Sequence, residues 1–267
     1  MKVIVLDAGT GSRLLPFTKK SPKCLLDIGN GMSALEYQMM SFALCGIEEV
    51  VIVGGYRIDQ LRAAVEEYTL PELPVTVLYH PHYKQYNNLF SLWMARDHLT
   101  GDVVVLNGDT LFDWRILWSL EAPRDERVTL TIDRKGYYDQ DDMKVRLNGR
   151  HVAAVTKQIH REDADAESIG MIRFQNGGAA LMREALRRRL NTENGVHQFY
   201  LQAIQDIVDI GEEVGVHDVA GKMWRELDFP SDLTNLRKDI HKFPPVHRHM
   251  LTGDGTQYDA PAHRRVG

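Results

Sequence analysis

The chain has 267 residues, 43% of them hydrophobic and 26% charged, ordinary values for a globular protein with a sizeable core. They exclude a disordered chain, a collagen-like repeat and a disulfide-stapled miniprotein. The net charge of −5 offers no basic field to duplex nucleic acid, so a site for polyphosphate has to concentrate its cations locally.

The opening Met1-Lys-Val-Ile-Val-Leu-Asp is too short an apolar run for a signal peptide and reads as a strand. From there to about Asp109, β-rich runs alternate with helical periodicity. Val3–Leu6, Val50–Val53, Val75–Tyr79 and Val103–Leu106 are predicted strands, and their near-continuous Val/Ile/Leu content suits parallel strands buried on both faces. Helices are predicted between them at Ala34–Cys45, Asp59–Tyr68 and Asn88–His98. The alternation predicts an α/β fold built on a doubly wound, mostly parallel, Rossmann-like sheet. Ligands of such sheets lie beyond the carboxyl ends of the strands, which points to the loops after Leu6, Val53 and Leu106.

After Trp118 a smaller, β-rich portion follows. Val128–Asp133, Met143–Leu147, Val152–Thr156 and Ile169–Phe174 read as strands, with Leu147-Asn-Gly-Arg150 as a hairpin turn. Helices are predicted at Ala179–Leu190 and Gln198–Ile210. A strand at Trp224–Phe229 leads into a helix at Ser231–Ile240. One domain over 1–242 is expected, dividing near residue 118, and a tail over 243–267 that lacks apolar periodicity. Cys24 and Cys45 form no CxxC or zinc spacing and read as small apolar fillers in a reduced compartment. No run of about 18 apolar residues occurs, so no membrane span is expected, and a cytoplasmic location follows.

The strongest local signal lies between Ala8 and Leu26, where Arg13, Lys19, Lys20 and Lys23 occur without a single acid. Gly9 and Gly11 let backbone amides approach an anion, and Arg13 adds a forked donor for phosphate oxygens. Pro22 stiffens the approach to Lys23, a point charge suited to a phosphoryl group. The third glycine of the dinucleotide fingerprint is missing, and no GxxxxGK[ST] occurs.

This segment, Leu6-Asp-Ala-Gly-Thr-Gly-Ser-Arg-Leu-Leu-Pro-Phe-Thr followed by Pro22-Lys-Cys-Leu, resembles the signature of the sugar-phosphate nucleotidyltransferase superfamily. In those enzymes an acceptor phosphate attacks the α-phosphorus of an NTP and pyrophosphate leaves. The resemblance runs from Met1 to about Lys238. It implies that Leu6, Ala8, Gly9, Thr10 and Gly11 lie against the nucleotide, that Arg13 holds the leaving phosphates and that Lys23 neutralises charge at the reacting centre. Residues 1–118 then form a nucleotide-binding half and 119–242 an acceptor-binding half. Asp7 departs from the pattern, which has a small residue there.

Asn107-Gly-Asp-Thr110 ends the strand Val103–Leu106, on the sheet edge that carries the glycine loop. NTP chemistry needs a hard cation, and Mg²⁺ takes one or two carboxylates plus phosphate oxygens. Asp109 is the natural first ligand, with Gly108 beside it against the nucleotide, and the Gly-Asp pair matches the family's metal motif. Trp224-Arg-Glu-Leu-Asp228 resembles the late strand of cytidylyl-type members and assigns Asp228 as the second ligand. Glu226 shares its strand face by alternation, and Asp232 reads as an early-helix acid favoured by the macrodipole.

Gly55 and Tyr56, after the second strand, are candidate base contacts. So are Asn87, Asn88 and Ser91, whose amides and hydroxyl can read a base edge, although Asn88 also suits an N-cap. The run Asn87-Asn-Leu-Phe-Ser-Leu92 is similar to that of phosphocholine cytidylyltransferase-like members. It points to CTP and a small non-sugar acceptor, phosphate or phosphonate. Lys144, Lys157 and Gly170 are the acceptor-side candidates. Tyr137 and Tyr138 with Asp139, Asp141 and Asp142 are a candidate enclosure for a cationic head group. Guanylyl or uridylyl transfer to a sugar or cyclitol 1-phosphate, and a catalytically silent nucleotide-binding regulatory protein, are the alternatives. Neither a nucleic acid nor a membrane is expected as partner. The acceptor's identity and a homo-oligomeric state stay open.

Overall fold

A computed structural model describes residues 1–246 apart from 30, 69 and 71. Val/Ile-rich runs form β1 (Lys2–Asp7), β2 (Glu49–Gly54), β3 (Val75–Tyr79) and β4 (Val103–Asn107). Alternating with them are α1 (Ala34–Leu44), α2 (Ile58–Glu67) and α3 (Asn88–Met94). A short strand β5 (Thr110–Phe112) then leads to α4 (Trp114–Leu120). The second half contains β6 (Val128–Asp133), β7 (Lys144–Asn148), β8 (His151–Thr156), β9 (Ala166–Phe174), α5 (Gly178–Leu190), α6 (Leu201–Asp209), β10 (Val214–Asp218), β11 (Trp224–Glu226) and α7 (Pro230–Asp239).

Nine strands form one sheet in the order β3-β2-β1-β4-β9-β6-β10-β8-β7. The first four are mutually parallel, as the alternation of strands and helices predicts. β9 is antiparallel to both β4 and β6, so β6 ends at the same sheet edge as β1 and β4. β7 pairs with β8 on one side and with β9 on the other. The fold is α/β and Rossmann-like, with its parallel pairing concentrated in the first half and β-rich antiparallel pairing in the second.

The pleat sorts the core into two layers. Ile4 and Leu6 face a layer that includes Leu89, Met182 and Ile204, while Val3 and Val5 face one that includes Leu35, Phe42 and Leu117. A third cluster joins Leu14 and Leu26, flanking the basic residues of the glycine loop, to Leu227, Leu233 and Leu236. This cluster couples the loop to α7 and to the turn between β11 and α7 that carries Asp228. Phe243 and Val246 are buried in it, and Tyr37 Oη donates to Pro244 O at 3.1 Å. The first residues of the expected tail therefore pack on the core, and 247–267 lie outside the described residues.

Three elements carry weak sequence signals. α4 is a two-turn helix started by Asp113, whose side chain accepts from Arg115 N. β5 has three residues, and β10 (Val-Gly-Val-His-Asp) lacks a continuous apolar run. The predicted helix at Asn88–His98 shortens to α3 and then tightens into a 3₁₀ turn at Arg96–His98. Among the described residues no helix is long and apolar enough to cross a membrane.

Candidate active site

β1 delivers the chain into the glycine loop at the carboxyl edge of the sheet. Gly11 has φ +60°, and a Cβ there would lie 2.9 Å from Thr18 Cγ2, so the turn requires glycine. Thr18 Oγ1 donates to Gly11 O at 2.7 Å and closes the loop. Leu14 is fully buried, whereas the Arg13 side chain is half exposed. The loop forms one wall of an open cleft of about 1040 Å³, lined among others by Leu6, Ala8, Gly9, Thr10, Gly11, Arg13 and Lys23.

Asp109, just before β5, and the residues of β11 also line the cleft. The antiparallel register of β5 and β11 pairs Thr110 with Glu226, and Leu227 N donates to Asp109 O at 3.0 Å. This short ladder brings Asp109 and Asp228 together. Asp232 Oδ2 accepts from Asp228 N at 3.1 Å and from Phe229 N at 2.7 Å, fixing the entry to α7. The Lys23 ammonium donates to Asp109 Oδ2 and lies 3.8 Å from Asp228 Oδ1. Arg13 reaches Asp228 Oδ2 at 2.8 Å and Asp141 Oδ2 at 3.4 Å.

Electrostatics show what this centre lacks. Burial raises the Asp228 carboxyl above its ordinary range and Asp109 adds to the effect, against Lys23 and Arg13. Glu226 is raised further by burial, then by Asp109 and Asp228. Burial works to lower the Lys23 ammonium, but Asp109 and Asp228 outweigh it, so its pKa is raised. Three carboxyl groups thus converge where the chain's own ammonium lies near two of them. Hard oxygen donors with excess negative charge fit Mg²⁺, which takes few protein ligands and keeps water or phosphate oxygens. Among the described residues no group of three or more His, Cys, Asp or Glu is placed to hold a metal, so Asp109 and Asp228 are the candidate pair.

Asn87, Asn88 and Ser91 line the cleft beyond the glycine loop. Asn87, rather than Asn88, is the N-cap of α3: its Oδ1 accepts from Asn88 N at 2.7 Å and its Nδ2 donates to His197 O at 3.2 Å. Asn88 Oδ1 accepts from Tyr200 N at 3.0 Å. Gly55, Tyr56 and Gly108 do not line the cleft. Gly55 passes so close behind the loop that a Cβ would lie 2.6 Å from Ala8 O, and Tyr56 N donates to Ala8 O at 3.1 Å. Gly108 N bonds Leu6 O, and a Cβ there would meet Asp7 at 2.6 Å. These three support the loop from behind. Asp7 is buried, and burial pushes its pKa up to about 6 against the opposing effects of Cys24 and Lys23.

On the far side, Lys157 and Gly170 line the cleft and Lys144 does not. The Lys144 ammonium donates to Gln140 O, Asp142 O and Lys157 O at 3.0–3.3 Å and is 3% exposed. Its charge is spent on backbone carbonyls, so it is placed to shape the 139–142 loop rather than to reach a ligand. A further cation that reaches the cleft, beside Lys157, is Lys135, held at 2.8 Å by both Asp142 and Glu167. Burial pushes Glu167 up to about 7, with Lys135 opposing. Lys135 belongs to no motif, and its signal was position alone, two residues beyond the carboxyl end of β6. Gly170, at φ +73°, makes room for Asn107, whose Nδ2 would lie 2.3 Å from a Cβ there.

Residues 2–141 match the nucleotidyl transferase family. The chain belongs to that family. A relative from Campylobacter jejuni, CTP:phosphoglutamine cytidylyltransferase, is 24% identical over 87% of this chain and 98% of its own length. The CMP-5'-(3-aminopropyl)phosphonate synthase of Streptomyces rubellomurinus is 29% identical over 94% of this chain and 40% of its own. Among solved structures, the CTP:phosphocholine cytidylyltransferase of Streptococcus pneumoniae superposes with TM-score 0.72 at 22% identity, covering 90% of this chain and 98% of that one. The protein is a nucleotidyltransferase by this membership.

Proposed function

We propose that this nucleotidyltransferase is a Mg²⁺-dependent cytidylyltransferase that joins CTP to a small phosphate or phosphonate acceptor and releases pyrophosphate. The observation that carries the reading is the convergence of Arg13 and Lys23 on Asp109 and Asp228 beside the glycine loop. Cytidylyl transfer to phosphorylated or phosphonate acceptors is named for relatives that align along most of this chain. In this reading residues 1–118 hold the nucleotide and 119–242 most of the acceptor.

An acceptor oxygen attacks the α-phosphorus in line. A new P–O bond forms as the bond from the α-phosphorus to the bridging oxygen breaks, and the electron pair leaves with pyrophosphate. The acceptor is already an anion at neutral pH, so no side chain has to remove a proton. Amides of the glycine loop and the Arg13 fork bind triphosphate oxygens, and Lys23 neutralises charge that develops at the reacting phosphorus. When bound between Asp109 and Asp228, Mg²⁺ supplies further charge neutralisation on the triphosphate. Asn88 keeps one amide end fixed by Tyr200 and offers the other to the base.

The test is pyrophosphate release with each of CTP, UTP, GTP and ATP, paired with aminoalkyl phosphates and phosphonates and with sugar 1-phosphates. CTP with a small acceptor is expected to dominate. Equal turnover of GTP or UTP overturns the cytidine assignment, and no turnover with any pair overturns the catalytic reading.

A further inference from the structure

Recognition of a quaternary ammonium and of a primary ammonium requires different walls. The former has no N–H and depends on aromatic faces closing around it. A primary ammonium carries three donors and depends on oxygen acceptors. Tyr137 and Tyr138, the expected aromatic enclosure, do not line the cleft. Their rings are faced by Arg161 at 5.6 Å and Lys135 at 5.9 Å. Phe199 and Phe229 do line it, and the chain's own cations again lie over them: Lys157 over Phe199 and Arg13 over Phe229, each 5.1 Å from the ring centroid. The remaining ring on that side, Trp224, donates its indole N–H to Asp133 at 2.8 Å. One free face does not make a cage.

Carboxyl groups, by contrast, outnumber cations there. Asp133, Asp139, Asp141, Asp142, Glu167 and Glu226 line the cleft here against Lys135, Lys157, Arg13 and Arg225. Lys135 already shows what the wall accepts, since its ammonium bridges Asp142 and Glu167 at 2.8 Å each. Among the described residues the Glu226 side chain makes no hydrogen bond or ion pair, and it lines the cleft together with Glu167, Asp109 and Asp228.

Resting on the cytidylyl reading above, we infer that the acceptor is an aminoalkyl phosphate or phosphonate with a primary ammonium, recognised through its N–H groups by Glu167 and Glu226, and that N-methylation weakens it stepwise. The wall that would recognise a trimethylammonium is already covered by Lys157 and Arg13.

The test compares 2-aminoethyl phosphate with its N-methyl, N,N-dimethyl and N,N,N-trimethyl derivatives, using the full chain with saturating CTP and Mg²⁺ and reading pyrophosphate. A fall in kcat/KM of at least tenfold from the primary to the trimethyl ester, carried mainly by KM, is expected. Glu167→Gln should flatten the series while the KM for CTP stays within about twofold; because Glu167 is buried, circular dichroism checks that variant's fold. Should it fail to fold, the wild-type series decides by itself. Equal or better turnover of the trimethyl ester overturns the inference and leaves cytidylyl transfer standing. No turnover with any of the amines, where another small phosphate is used with CTP, overturns the inference alone; turnover confined to sugar 1-phosphates overturns both.

Discussion

Arg13 Nη2 donates to Asp228 Oδ2 at 2.8 Å across 215 positions of sequence, tying the glycine loop to the turn between β11 and α7. The second arm of the same guanidinium reaches Asp141, on the far wall of the cleft, at 3.4 Å. One side chain therefore links the glycine loop to the candidate metal carboxylate and to the wall proposed for the acceptor. Arg13→Lys keeps the charge and loses the fork. We expect kcat/KM for CTP to drop by about 10–100-fold, the scale of a lost bidentate charge-assisted contact. Pyrophosphate release measures it, and a variant as active as wild type removes Arg13 from the chemistry.

Lys23 lies against both Asp109 and Asp228, so in the proposed reading it and a divalent cation compete for the same carboxylates. Lys23→Met removes the competitor together with the catalytic charge. Turnover is expected to fall by roughly 10²–10³-fold, while Mg²⁺ alone raises the Tm of the variant more than that of wild type. Asp109→Asn is expected to lose both turnover and the Mg²⁺ effect. Calorimetric melting with and without Mg²⁺ separates these outcomes, and an unchanged Mg²⁺ response in Lys23→Met refutes the competition.

The central glycine loop was legible because its cations, glycines and proline lie within a few residues of one another, so a local pattern carried the geometry. Asp109 and Asp228 were legible from short motifs at strand ends. What stayed hidden depended on which neighbour lies in front. Gly55 and Tyr56 follow a strand that ends at the right edge, but the glycine loop folds over them. Lys144 opens β7, whose register places it opposite both Thr156 and Glu167. A strand paired on both sides buries its lysine, and no linear pattern distinguishes that from an exposed edge. Lys135 reaches the cleft only because β9 runs antiparallel between β4 and β6.

In the proposed reading Asn88 divides its amide between structure and ligand. Its Oδ1 accepts from Tyr200 N at 3.0 Å, and the residue lines the cleft beside Ser91. Asn88→Asp retains the acceptor for Tyr200 and deletes the NH₂ donor. A rise of about tenfold in KM for CTP is expected, the cost of one lost hydrogen bond of about 1.4 kcal/mol, with little change in the acceptor's KM. Steady-state kinetics decide it, and equal rises in both KM values would show a general loosening of α3 instead.

His217 makes stability depend on pH outside the active site. Arg124 Nη2 lies 2.8 Å from Nδ1 and can only donate, so Nδ1 accepts and the proton resides on Nε2, facing Ser119 Oγ at 3.1 Å. Burial first, and then the Arg124 charge, push the imidazole down to about 4 from its usual 6.5. The unfolded chain therefore binds this proton at higher pH than the folded one. Stability is complete above about 6.5 and is lost progressively as pH falls toward 4. His217→Gln removes that linkage. Between pH 7 and pH 5 the wild-type Tm should fall on the order of 5 °C more than that of the variant. His80, pushed down to about 4 by burial and by His82, remains in both proteins and contributes equally. Parallel Tm–pH curves for the two would show that His217 is not the group whose protonation opens the fold.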